Sequence, residues 1–135
     1  AFQKLPGKHA LLLGKPEIKE IVEKGNVVLY PHLSKEKFRE LVLSAKYFVS
    51  RPGYSTIMDQ AVLGANCLFV PTPGQTEQIY LSKIISKFRY ARVMKESKLS
   101  AESLEQAFAG SVYRLPFADS SLLKKAVFEF MEQYK

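Results

Sequence analysis

The stretch Ser50 to Gln78, SRPGYSTIMDQAVLGANCLFVPTPGQTEQ, holds two glycine-containing turns, each placed after an apolar run and ahead of a helical pattern. The first, Arg51-Pro52-Gly53-Tyr54-Ser55, leads to Asp59; the second, Pro73-Gly74-Gln75-Thr76, leads to Glu77 and Gln78. A helix start presents backbone N–H groups that have no intrahelical acceptor, together with the positive end of the dipole, and both favour phosphate. A nearby carboxylate favours sugar hydroxyls. One loop–helix unit of each kind, side by side, suggests a nucleotide-sugar site.

Each of these residues also has a plainer reading. The N–H groups of Tyr54, Ser55 and Thr56 are free helix-start donors for a diphosphate, with the Ser55 hydroxyl adding a bond; otherwise Gly53 and Ser55 form an ordinary capped turn. Asp59 lies about one turn into its helix, where it either accepts both hydroxyls of a ribose or stabilises the helix dipole. Pro71, Thr72 and Pro73 stiffen the second loop, and Gly74 is available for an unusual backbone angle. Glu77 and Gln78 supply the acceptors and donors that sugar hydroxyls need, or they are simple helix-start composition. Arg51 neutralises a phosphate or pairs with a local acid. His32 touches a base or a phosphate, or is structural, as His9 is expected to be. The sequence contains no Cys-x-x-Cys, no His-x-x-x-His, no Walker P-loop and no GxGxxG fingerprint.

Positioning these loops requires an alternation of strands and helices. His9–Leu13 reads as a strand, Glu17–Lys24 as a short helix stopped by Gly25, and Asn26–Tyr30 as a second strand. Ser34 can cap a helix with Phe38, Leu41, Val42 and Ala45 on one face. Tyr47–Ser50 is a strand, Ser55–Leu63 a helix ended by Gly64, and Cys67–Val70 a strand. Thr76 can cap a helix carrying Leu81, Ile84, Ile85 and Phe88, followed by a strand at Ala91–Met94 and helices at Ser100–Ala109 and Ser120–Tyr134. The alternation predicts an α/β fold with one sheet of five parallel strands. Right-handed crossovers then bring His32-Leu33, Arg51–Ser55 and Thr72–Gln78 to one sheet edge, where ligands bind in open α/β sheets.

The bulk composition fits one globular domain over residues 1–135: 47% of the residues are hydrophobic, and no apolar run reaches membrane-span length. Cys67, the only cysteine, lies in the apolar run ANCLFVP and is expected to be a buried strand residue in a reduced, cytoplasmic setting. The net charge of +7 gathers at Lys83, Lys87, Arg89, Arg92, Lys95 and Lys98, opposed only by Glu96. This stretch is either a solvated face or a surface drawn to an anionic membrane or a diphosphate-bearing acceptor. No motif accompanies it that would point to nucleic acid.

The segment SRPGYSTIMDQAVLGANCLFVPTPGQTEQIYLSK resembles the C-terminal domain of glycosyltransferase family 28, a family that includes a bacterial peptidoglycan N-acetylglucosaminyltransferase. The likeness runs through Arg51, Gly53, Thr56, Asp59, Ala61, Gly64, Pro71, Gln78 and Tyr80. It implies a Rossmann-like parallel sheet with helices on both faces, the C-terminal half of a GT-B enzyme that is inverting and metal-independent and needs no cofactor. It also implies a nucleotide-diphospho-sugar partner, commonly UDP-linked, with UDP-N-acetylglucosamine as one candidate. In that frame Arg51, Gly53, Tyr54, Ser55 and Thr56 bind the diphosphate and Asp59 the ribose. Gln75, Thr76, Glu77 and Gln78 bind the sugar, and the loop at His32 and Leu33 holds the base.

Two positions depart from the family pattern. Asp59 stands where the lipid-linked branch usually has Glu, and Ile79 replaces a second Gln. The family's domain begins with a strand and a glycine-rich loop upstream of anything in this sequence, and its catalytic base usually lies in an acceptor-binding N-terminal domain. The chain is therefore expected to be a fragment of a longer enzyme, lacking the first, central strand. Alone it is expected to be inactive and prone to self-association, working with that N-terminal domain on a lipid-linked acceptor at the inner face of a membrane. The rival readings are half of a nucleotide-sugar epimerase and a non-catalytic module that docks on membranes through its basic surface.

Overall fold

The computed structural model describes residues 2–110 together with Tyr113, Leu115, Ser121, Glu129 and Glu132. Six strands and four α-helices follow one another among these residues. They are β1 (His9–Leu12), β2 (Val22–Lys24), β3 (Val27–Tyr30), α1 (Lys35–Ser44), β4 (Phe48–Ser50), α2 (Tyr54–Leu63), β5 (Cys67–Phe69), α3 (Thr76–Lys87), β6 (Arg92–Val93) and α4 (Ala101–Ala109). The strands fall into two sheets, ordered β1-β3-β2 and β4-β5-β6. In the second sheet every pairing is parallel, with Phe48 beside Cys67 and Leu68 beside Arg92. In the first, β1 pairs with β3 in parallel, His9 beside Val27, and β2 lies antiparallel on the other side of β3.

The fold is thus the expected mixed α/β architecture with two local corrections. Residues 17–24 form no helix; Val22–Lys24 is a strand of a hairpin that turns on Gly25 and Asn26. Gly25 takes φ +62°, the left-handed conformation that a two-residue hairpin turn demands and that glycine adopts without a Cβ penalty. Pairing with β3 satisfies the backbone groups of a segment too short to hold an isolated helix. The strands also divide between two sheets rather than forming one, so β1 and β4 are each hydrogen-bonded on one side only. Of the expected helix at residues 120–134, Ser121, Glu129 and Glu132 are described, each in helical conformation, and the remainder lies outside the described residues.

β5 is buried along its whole length because it is central and covered on both faces. Its side chains alternate across the sheet, as a strand's must. Cys67 and Phe69 point to a core formed with Ala61 of α2, Ile85 of α3, Ala91 and Leu115. Leu68 and Val70 pack with Leu104 of α4, and Phe2 and Leu5 pack against the same cluster. The N-terminal segment also ties the two sheets together. The Leu5 carbonyl accepts from Asn26 Nδ2 at 2.7 Å and lies 3.3 Å from His9 Nε2, which gives His9 its structural role. Between α1 and β4, Phe38 meets Phe48 edge to face at 6.2 Å. No described helix is long and apolar enough to cross a membrane.

Candidate nucleotide-sugar site

The four α-helices begin in two different ways. α1 and α4 cap themselves: the Ser34 hydroxyl accepts from the Lys37 N–H at 3.2 Å, and Ser100 and Ser103 form a reciprocal capping box. At α1 the first-turn acid joins in, and the Glu36 carboxyl is held below its ordinary range by backbone N–H and the Ser34 hydroxyl. α2 and α3 have no such device. The cap positions are Gly53 and Gln75, and neither supplies a side-chain bond. Thr76, expected as the cap of α3, is its first helical residue instead.

In α2 the first helical bond runs from the Ile57 N–H to the Gly53 carbonyl, so the N–H groups of Tyr54, Ser55 and Thr56 are left without a protein acceptor. No acid stands in the first turn to take them. Glycine at 53 is required neither by its backbone angle nor by packing: φ is −81° and an added Cβ would meet only Thr56 Oγ1, at 3.7 Å. The missing side chain leaves the helix start open. One turn on, Asp59 is exposed on the side of α2 that also exposes Ser55, while Gln60 and Ala61 on the opposite side are buried. Gly64 closes the helix at φ +65°.

The second loop is held beside the first by the parallel pairing of β4 with β5. The Val70 N–H donates to the Ser50 carbonyl at 2.8 Å. From the end of β4, Arg51 Nη1 donates to the Val70 carbonyl at 2.9 Å and pairs with Glu96 at the same distance. The local-acid reading of Arg51 is therefore realised, with both partners about half exposed. Gly74 takes φ +84°, the unusual angle anticipated for it. Gln78 reaches back from α3 to accept the Thr72 N–H at 2.8 Å, fixing the loop over the start of the helix. Gln75, Thr76 and Glu77 remain exposed.

Nine of the twelve candidate residues thus gather in two adjacent loop–helix units: Gly53, Tyr54, Ser55, Thr56 and Asp59 in the first, Gln75, Thr76, Glu77 and Gln78 in the second. Arg51 links the two. His32 and Leu33 follow β3 in the other sheet, and no described hydrogen bond, ion pair or ring contact joins them to either unit. Sequence reasoning did not single out Glu96 as the partner of Arg51, since residues 45 positions apart meet only through the sheet. A cavity of about 300 Å³, bounded by Tyr47, Asn66 and Phe108, sits at the opposite, N-terminal ends of β4 and β5 and shares none of these residues.

Parallel strands with open helix starts at their C-terminal ends define a Rossmann-like α/β architecture, whose ligands bind at that edge of the sheet. The family follows from the chain itself: residues 16–116 match the model of the glycosyltransferase family 28 C-terminal domain, and the protein belongs to that family. It is also 29% identical over 85 residues to the UDP-N-acetylglucosamine--N-acetylmuramyl-(pentapeptide) pyrophosphoryl-undecaprenol N-acetylglucosamine transferase of Desulforamulus reducens. That alignment covers 62% of this chain and 22% of the relative, so the chain spans a minor part of that enzyme's length.

Proposed function

We propose that this chain is the donor-binding domain of an inverting, metal-independent glycosyltransferase that uses a nucleotide-diphospho-sugar, UDP-N-acetylglucosamine being the first candidate. The observation that carries the reading is the open start of α2. Its three N–H groups lack acceptors, whereas α1 and α4 are capped by their own serines. Membership of the glycosyltransferase family supports the same chemistry, and the name of the Desulforamulus reducens relative supports the donor.

In this reading the diphosphate lies against Tyr54, Ser55 and Thr56, and the dipole and N–H groups stabilise the charge that grows on the leaving oxygen. Asp59, exposed one turn further along, accepts the ribose hydroxyls. Gln75, Thr76, Glu77 and Gln78 face the sugar; because Gln78 already accepts from Thr72 through its carbonyl oxygen, its amide N–H₂ remains to donate. The base belongs to the loop at His32 and Leu33. An acceptor hydroxyl attacks the anomeric carbon, the bond to the diphosphate oxygen breaks, and the hydroxyl proton passes to a base supplied by a separate acceptor-binding domain. The acceptor is lipid-linked, and the chain alone binds donor without turning it over. An additional strand between β1 and β4 would complete one sheet.

Calorimetry with UDP and UDP-N-acetylglucosamine tests the reading. Hydrogen bonds to a charged carboxylate contribute about 1.5–3 kcal/mol each, so Asp59→Ala is expected to weaken both ligands by at least about tenfold. Equal affinity for the wild type and the variant would remove Asp59 from the site.

A further inference from the structure

We infer that the outer face of α3 is a membrane-docking surface that lies on anionic lipid headgroups. The residues facing away from the core along this helix are Ile79, Tyr80, Lys83 and Lys87, and Phe88 and Arg89 follow at its end. Tyr80, Lys83 and Lys87 stand three and four residues apart and share one face, while Ser82 and Ile85 are buried on the other. Tyr80 is 64% and Phe88 55% exposed. From Tyr80 to Phe88 the stripe is about 12 Å long.

Three observations distinguish this stripe from a merely solvated helix face. First, its cations are unspent: Lys83, Lys87 and Arg89 form no ion pair among the described residues; of the acids nearest in sequence, Glu77 stands in the first turn of the same helix and Glu96 is held by Arg51 at 2.9 Å. Arg92, by contrast, is engaged with Asn66 at 3.2 Å and over the Tyr113 ring. Second, aromatic and basic groups are interleaved: Lys87 Nζ lies 5.5 Å from the centre of the Phe88 ring, which stacks on Tyr90 with 5.5 Å between centres. Aromatic rings at headgroup depth with lysines extending to the charged layer are what an interfacial helix needs. Third, the helix ends with Arg89 at φ +55°, the Tyr90 N–H reaching the Ile85 carbonyl and the Arg89 N–H reaching that of Ser86. That closing position favours glycine; a side chain there costs about 1 kcal/mol and places a cation at the tip of the stripe.

The consequence for the site rests on the donor-binding reading. α3 starts at Thr76, so a membrane lying along it would hold the sugar loop at the surface where a lipid-linked acceptor resides.

The test needs no nucleotide and reads a different property from the calorimetry. Binding of the full chain is measured with vesicles of phosphatidylcholine alone and of phosphatidylcholine with phosphatidylglycerol. Each headgroup-facing cation contributes about fivefold. The anionic vesicles should therefore bind about 100-fold more tightly than neutral ones, and Lys83→Gln/Lys87→Gln should lose about 30-fold. Tyr80→Ser/Phe88→Ser, with charge unchanged, should lose at least about fivefold. The chain contains no Trp, so Phe88→Trp adds a single indole whose emission should shift to the blue on anionic vesicles. Equal binding to both vesicle types overturns the proposal. So does an unshifted indole, or full binding by the Ser variant, either of which would mark the stripe as a site for soluble polyanions.

Discussion

Placing an acid at the cap of α2 should make the protein more stable and a worse ligand binder at once. Gly53 has φ −81° and ψ 149°, the extended conformation in which Asp caps a helix, and a Cβ there makes only an ordinary contact with Thr56. In Gly53→Asp the carboxylate would accept from the Ser55 and Thr56 N–H groups that now lack acceptors. A cap better than glycine contributes a few tenths of a kcal/mol and an acid at the dipole 0.3–1 kcal/mol, together about 0.5–1 kcal/mol. For a domain of this size that raises Tm by about 2–4 °C. The same carboxylate removes two charge-assisted bonds from a bound diphosphate and repels it. Donor affinity should fall by about 3 kcal/mol or more, two orders of magnitude. Gly53→Ser, which caps without charge, should fall between the two proteins in affinity. Differential scanning calorimetry and titration with UDP on all three supply both readouts. A raised Tm with unchanged affinity would refute the assignment of the diphosphate to this helix start. An unchanged Tm with lost affinity would show that the side chain does not cap and that the geometric argument is wrong.

Two further predictions concern the core. Cys67 is 1% exposed, and burial pushes its thiol up to about 12. The native protein should resist thiol reagents at pH 8 and react only on unfolding. Because the folded state holds this proton more tightly than the unfolded one, stability should fall as pH rises from about 9 towards about 12, and Cys67→Ala should flatten that slope; an equally steep slope would refute the link. Gln60 is fully buried, and neither its Nε2 nor its Oε1 has a hydrogen-bond partner among the described residues. Gln60→Leu keeps the volume and removes two unpaired polar atoms, so thermal unfolding should rise by several degrees, a gain of about 1–2 kcal/mol; a fall would show that the amide has a partner.

Much of the site could be read from the sequence because it depends on local chemistry. Gly53 and Gly74 mark the turns, apolar runs mark β4 and β5, and parallel pairing of consecutive strands puts the two loops side by side. The helices α1, α2 and α4 were legible for the same reason, through Ser34, Gly64 and Ser100. What was not legible depends on pairing between distant segments. Residues 17–24 carry both a weak helical pattern and a Gly25-Asn26 turn signal, and it is the ladder with β3 that decides for the strand. The division into two sheets, the pairing of Arg51 with Glu96 and the burial of Gln60 all arise from tertiary placement that no local pattern encodes. The contrast between capped and open helix starts became visible only when every N–H could be followed to an acceptor.

The most direct test of the central claim is an amide NMR titration of the chain with UDP-N-acetylglucosamine. If the donor sits on the two open helix starts, the N–H resonances of Tyr54, Ser55, Thr56, Thr76 and Glu77 shift with one saturating curve, while that of Ser103, capped by Ser100 at the start of α4, stays in place. Saturable shifts confined to other residues, or none at millimolar ligand, would contradict the account.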